Sequence, residues 1–160
     1  MRTIDGSGTA RGLRFAVVVA KYNDFVTDRL QVGALAALTH HGVLDTDITL
    51  IRVPGAFEIP TAARLAANAG QFDGVVCLGC LIRGATPHFE YISSAVAHAL
   101  TAASGATGIP MAFGVLTTNS AEEALERAVD GPTNKGWEAA TATLEMAIIA
   151  RCLSQSTTTT

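Results

Sequence analysis

The residues of this chain best suited to chemistry lie in one stretch, Gly79-Cys80-Leu81-Ile82-Arg83-Gly84-Ala85-Thr86-Pro87-His88-Phe89-Glu90-Tyr91. Gly84 permits a tight backbone turn. Ala85 and Thr86 then present amide groups and a hydroxyl at the start of a helix, where unpaired N–H groups and the positive end of the helix dipole favour a phosphate. His88 stands in the first turn of that helix. It could exchange protons with whatever the anion site holds, because an imidazole titrates near neutral pH. A lone histidine more often caps or packs, and a lone glycine is usually an ordinary loop residue. The anion loop and the histidine together favour a functional reading, with His88 as the proton-transfer residue.

Other segments carry weaker signals. In Pro54-Gly55-Ala56-Phe57-Glu58-Ile59-Pro60, Phe57 offers an apolar surface and Glu58 an acceptor at a helix start. A carboxylate there is also a common partner of the helix dipole. Tyr22-Asn23 pairs an aromatic with an amide, which suits stacking on and hydrogen-bonding to a heterocycle. It reads equally well as a loop tyrosine and a turn asparagine. Arg127 and Lys135 could neutralise a phosphate, although a single surface cation is usually just solvated. His40, His41 and His98 have no partner motif and read as structural or solvated. Cys77 and Cys80 have redox-motif spacing, but they stand three apart in an apolar strand and so point to opposite faces. Redox pairs need a helix start to lower a thiol pKa. These cysteines therefore read as core and near-site packing, and neither a metal nor a redox role is expected.

Alternating strand and helix patterns position these segments. Apolar runs mark strands at Leu13–Ala20, Asp47–Val53, Phe72–Cys80 and Ile109–Leu116. The continuous apolar character of the first and third suits strands buried on both faces. Helices are expected over Asp24–His41, Glu58–Ala69, His88–Ala103, Ser120–Val129 and Trp137–Leu153. The first carries Phe25, Leu30, Ala34 and Leu38 at helical spacing, with Asp24 as cap and Gly42 as stop. Pro60 falls in the first turn of the second, and Ser120 with Glu123 forms a capping box. Arg2–Gly12 reads either as a loose arm or as an added edge strand, and Ser154–Thr160 as a disordered tail. The pattern is α/β: a three-layer α/β/α sandwich around a flavodoxin-like parallel sheet of four core strands in the order 2-1-3-4. Residues 1–160 form a single domain. Ligands of such sheets bind beyond the carboxyl ends of the strands. That rule selects Lys21–Asp24, Pro54–Glu58, Leu81–His88 and Thr117–Ser120.

Bulk properties narrow the partners. Of 160 residues, 49% are hydrophobic and only 16% charged, which excludes a disordered chain and suggests apolar surface buried between copies. A formal net charge of -3 with scattered basic residues gives no footprint for nucleic acid. No membrane association is expected either, because no apolar run reaches spanning length. The N-terminus has no signal core, so a cytoplasmic setting is expected. Three cysteines, an odd count, argue against a disulfide framework.

Taken in order, several motifs resemble the 6,7-dimethyl-8-ribityllumazine synthase family. They are Gly55–Pro60, Gly79–Tyr91, Phe113-Gly114-Val115-Leu116-Thr117-Thr118, Glu126-Arg127-Ala128 and Asn134-Lys135-Gly136. The resemblance runs from about Leu13 to Leu153. It implies the penultimate step of riboflavin biosynthesis, the condensation of 5-amino-6-(D-ribitylamino)uracil with 3,4-dihydroxy-2-butanone 4-phosphate, with no metal or organic cofactor. Position by position, Tyr22 matches the aromatic that stacks on the pyrimidine, where most members have Phe or Trp. Asn23, Leu81 and Ile82 match pyrimidine contacts, the last two through backbone, and Cys80 adjoins them. Ala56, Phe57 and Glu58 match the ribityl site. Ala85 and Thr86 match the phosphate-binding amides, Arg127 the phosphate-pairing arginine and His88 the proton-transfer histidine. In the family, Phe113, Arg127 and Lys135 complete a site with residues of a neighbouring subunit. The resemblance also implies pentamers, in many members packed as 60-subunit icosahedral shells, and allows association with riboflavin synthase. The short loop Val129–Asn134 favours the shell. A flavodoxin-type electron carrier would need a hydroxyl-rich phosphate loop after the first strand, which Lys21-Tyr22-Asn23-Asp24 lacks.

Overall fold

In a computed structural model of the protein, which describes residues 1–156, strand β1 (Phe15–Ala20) is buried along its whole length. The cause is its place in the sheet. It pairs in parallel with β2 (Ile48–Val53) on one side and β3 (Gly74–Ile82) on the other, so helices cover both its faces. β4 (Met111–Thr118) completes the parallel sheet beyond β3, giving the order β2-β1-β3-β4. The expected topology is the one observed. Apolar continuity marks the two inner strands, whereas β2 at the edge is only half covered, in agreement with its mixed sequence ITLIRV.

Two cores flank the sheet. Phe15, Val17, Val19, Val76, Leu78 and Cys80 face α1 (Asp24–His40) and α5 (Lys135–Ser156). Ala16, Val18, Val75 and Cys77 face α2 (Ile59–Asn68) and α3 (His88–Thr107). Cys77 and Cys80 thus serve opposite cores, as the strand period requires. Burial raises the Cys77 thiol pKa to about 12 and that of Cys80 to about 11. Such thiols are inert at neutral pH.

Several local expectations need correction. Asp24 does not cap α1. The N-cap is Asn23, held in the left-handed region at φ 61°, and its side chain makes no cap bond to the helix. Phe25 is 45% exposed, and Val26 takes the inward position on α1. The inner face needs Val26, Leu30, Ala34 and Leu38 in line, and Phe25 lies one step off it. The arm Arg2–Gly12 forms no edge strand. It runs along α5, where the Arg151 guanidinium donates to the carbonyls of Arg11 (3.1 Å) and Thr9. Ala10 and Leu13 are buried with that core. Of the tail, Ser154–Ser156 belong to α5, and Thr157–Thr160 lie outside the described residues. α4 spans only Ala121–Glu126. There Ser120 Oγ accepts from the Glu123 N–H at 3.1 Å, and the Glu123 carboxylate accepts from the Asn119 N–H rather than from that of Ser120.

Candidate active site

The carboxyl ends of β1, β2 and β3 open into one cleft of about 830 Å³. It is lined by Tyr22 and Asn23 after β1, Ala56, Phe57 and Glu58 after β2, Leu81 and Ile82 at the end of β3, and Thr86 and His88 beyond it. This is the place the strand-end rule selects for a ligand. Each wall has a local cause. The chain leaves β1 with the Lys21 N–H bonded to the Val53 carbonyl and the Tyr22 N–H to that of Pro54, which brings the two loops side by side. Asn23 then takes the left-handed turn an asparagine tolerates. Its Nδ2 donates to the Cys80 carbonyl at 2.9 Å, tying the start of α1 to the exit of β3. Ala56–Glu58 form a single 3-10 turn leading into α2. Ala56 points into the core, and Phe57 stays 64% exposed over the opening.

The Arg83–Pro87 loop is braced from behind. The Arg83 N–H donates to the Thr118 carbonyl at 2.8 Å, extending the β3–β4 ladder by one rung. The Arg83 side chain donates from Nε to Asn119 Oδ1 at 3.0 Å, pairs with the Glu90 carboxylate and lies 4.8 Å over the Phe89 ring. The loop is held at both ends of its turn while Gly84, Ala85, Thr86 and His88 remain exposed. His88 is the first residue of α3, whose N-cap Pro87 offers no side-chain acceptor, so no side chain of the cap satisfies the leading amides. A hydroxyl, free amides and an imidazole thus surround the same opening. That set can hold an anion and move a proton beside it.

The structure divides the remaining residues. Ala85 lies in the loop but does not line the cleft. The Cys80 side chain is turned into the core, and only its carbonyl reaches toward the cleft, where Asn23 occupies it. Phe113, Arg127 and Lys135 gather in a second cleft of about 420 Å³, between β4 and the start of α5. The Arg127 guanidinium donates to the Glu123 carbonyl at 2.9 Å, and Lys135 Nζ donates to Glu138 Oε2 at 2.8 Å. Both cations are accessible, and Phe113 is 45% exposed on the edge strand. The two clefts share no lining residue.

Sequence reasoning missed the far wall of the first cleft, which Phe89, Tyr91, Ile92 and Ala95 build. The signal was present: His88, Tyr91, Ile92 and Ala95 fall on one face of α3 by helical spacing. Arg83 as a brace had no such signal, because its partners Asn119 and Glu90 come from different elements.

Comparison with known proteins agrees with this geometry. The family described as 6,7-dimethyl-8-ribityllumazine synthase matches residues 12–151. A 6,7-dimethyl-8-ribityllumazine synthase of Syntrophus aciditrophicus (strain SB) is 49% identical over 147 residues, covering 92% of this chain and 96% of that protein. The match takes in all four strands and both clefts, and with it the chain belongs to the 6,7-dimethyl-8-ribityllumazine synthase family, transferases of riboflavin biosynthesis.

Proposed function

We propose that the first cleft joins 5-amino-6-(D-ribitylamino)uracil to 3,4-dihydroxy-2-butanone 4-phosphate, releasing phosphate and water. The observation that carries this reading is the convergence of an aromatic–amide wall, a carboxylate, an anion-ready helix start and His88 on one opening. Tyr22 stacks on the pyrimidine, and Asn23, Leu81 and Ile82 bond its edge. Asn23 Nδ2 is already engaged with Cys80, so its Oδ1 is the free group. Ala56, Phe57 and Glu58 take the ribityl chain, with the Glu58 carboxylate accepting from hydroxyls. Ala85 and Thr86 hold the phosphate.

The chemistry asks for proton transfer at each step. The pyrimidine amine attacks the ketone and loses a first water to give an imine, phosphate is eliminated, the ribitylamino nitrogen closes the ring on the remaining carbonyl carbon, and a second water departs. His88 relays protons between these centres. None of these steps requires a covalent enzyme nucleophile, so much of the acceleration comes from holding both substrates in register. Phe113, Arg127 and Lys135 lie outside the first cleft and complete it from a neighbouring subunit. Arg127 then pairs with the phosphate. The exposed Tyr22, Phe57, Tyr91 and Phe113 supply apolar surface for such a junction. The assembly we infer is a ring of five, with the short Val129–Asn134 loop favouring a 60-subunit shell and with riboflavin synthase as a candidate companion.

Supplying both substrates to the assembled protein should yield the lumazine chromophore. Its absence from folded, assembled protein would overturn the reading. A sizing column or light scattering decides between pentamer and shell.

A further inference from the structure

The Arg127 and Lys135 heads have one close partner each, the Glu123 carbonyl and the Glu138 carboxylate, so where they stand depends largely on their backbones. Lys135 N–H donates to the Arg127 carbonyl at 2.9 Å, locking the two cation-bearing residues together. The residue beside them is Asn134, a polar side chain only 1% exposed. Its Oδ1 accepts from the N–H groups of Gly136 (2.8 Å) and Trp137 (3.2 Å), which caps α5. Its Nδ2 donates to the Arg29 carbonyl on α1 at 3.2 Å. All three of these hydrogen bonds go to backbone, on two helices at once.

The surroundings leave this amide no freedom. A Cβ at Gly33 would lie 2.2 Å from Asn134 Oδ1, and a Cβ at Gly136 would lie 2.0 Å from the Leu30 carbonyl oxygen. Two glycines therefore let α1 and the start of α5 close around Asn134. α1 is also the helix that Tyr22 and Asn23 lead into, and those two residues form a wall of the other cleft.

We propose that Asn134 is a positioning residue for substrate phosphate. It ties the loop carrying Arg127 and Lys135 to α1 and thereby sets where the cation pair stands. The proposal rests on the assigned activity and on Arg127 pairing with phosphate. The alternative is that Asn134 is only a helix cap, contributing stability without setting the cations.

Asn134→Ser separates these roles. A serine can still accept from the α5 amides but is too short to reach the Arg29 carbonyl. In the assembled enzyme, the KM for the phosphorylated butanone should rise about tenfold, the scale of loss when a hydrogen bond to a charged group is weakened. The KM for the pyrimidine should stay within about twofold, because Tyr22 and Asn23 are held separately, through the Pro54 and Cys80 carbonyls. Inorganic phosphate, titrated calorimetrically, should lose affinity by the same factor. Both KM values at the wild-type level, or both rising together, would overturn the proposal and leave Asn134 a cap. If the serine variant does not fold, Asn134→Thr, which also caps a helix without adding charge and is too short for the Arg29 carbonyl, is read by the same split. Wild type run in parallel separates the two claims: no lumazine from wild type defeats the activity, and the phosphate titration then tests the positioning by itself.

Discussion

Suppose His88 and Arg127 serve one reaction from two chains, as their placement in separate clefts suggests. Each of two inactive variants then retains the half-site the other lacks. His88→Ala removes proton transfer, which contributes on the order of 100-fold or more to rate, so that assembly alone is nearly silent. Arg127→Ala removes the phosphate partner and leaves the imidazole intact. Subunits of the two variants, unfolded and refolded together in equal amounts, assemble at random. At any junction the His88 side comes from the Arg127→Ala chain half the time, and the Arg127 side from the His88→Ala chain half the time. About one junction in four is then intact, whatever the number of subunits in a closed ring of head-to-tail contacts. The mixture should recover roughly a quarter of the wild-type rate, measured by lumazine absorbance with the phosphorylated butanone well below saturation, against about a hundredth for His88→Ala alone. Mixing the finished assemblies without refolding serves as the control and should recover nothing. Activity equal to the average of the two parents would refute the argument, since it would mean that His88 and Arg127 do not meet across a junction.

Further expectations concern single residues. Two glycine-to-alanine changes inside helices should have opposite signs. Gly136→Ala forces a Cβ to within 2.0 Å of the Leu30 carbonyl and should lower Tm by roughly 3–10 °C through overpacking. Gly105→Ala meets nothing within 4 Å in α3 and should raise Tm by about 1–3 °C through lost chain entropy. Thermal melts at one protein concentration check both, and an unchanged melt for Gly136→Ala would contradict the close helix approach. Thiol titration of the folded protein near pH 8 should label Cys152, which is partly exposed, and spare Cys77 and Cys80. Burial raises Cys77 from 9.0 to about 12 and Cys80 from 9.0 to about 11, so between pH 9 and 12 the folded chain holds protons the unfolded chain releases. Stability should therefore fall as pH rises through that window, and Cys77→Ala should flatten the slope; an unchanged slope would remove Cys77 as its source. Glu58→Gln should raise the pyrimidine KM by about threefold to tenfold, because a neutral amide oxygen accepts hydroxyls less strongly than a carboxylate. An unchanged KM would take Glu58 out of the ribityl site.

Much of the fold was legible because its signals are local. β1 and β3 are apolar throughout, and only strands covered on both faces can be. That placed them inside the sheet, and right-handed crossovers did the rest. Strand period alone put Cys77 and Cys80 on opposite faces, and they lie in opposite cores. The Asp24 cap was misread because capping preference depends on residue type, whereas Asn23 was recruited by a carbonyl 57 positions away, at Cys80. The arm was ambiguous for a similar reason. Its glycines permit many paths, and the Arg151 side chain that selects one lies at the far end of the chain. At the site, the residues around His88 were legible by motif and spacing. The separation of Phe113, Arg127 and Lys135 into a second cleft was foreshadowed by the family resemblance alone and not by the residues themselves. Nothing in sequence order tells which edge of a sheet a loop faces.

The bond between Asn134 and the Arg29 carbonyl spans 105 positions, and it bears on how the chain is made. α1 emerges from the ribosome early, with Val26, Leu30, Ala34 and Leu38 turned toward a partner, α5, that is translated last. At about 5–20 residues per second the wait is roughly 5–20 s. Throughout that interval a stripe of apolar side chains has no final cover, and β1 beneath it still lacks β3 for part of the time. The nascent chain is thus most exposed to chaperones and to aggregation before its last helix appears. Truncations that remove α5 should then fail as insoluble protein rather than as folded, inactive enzyme.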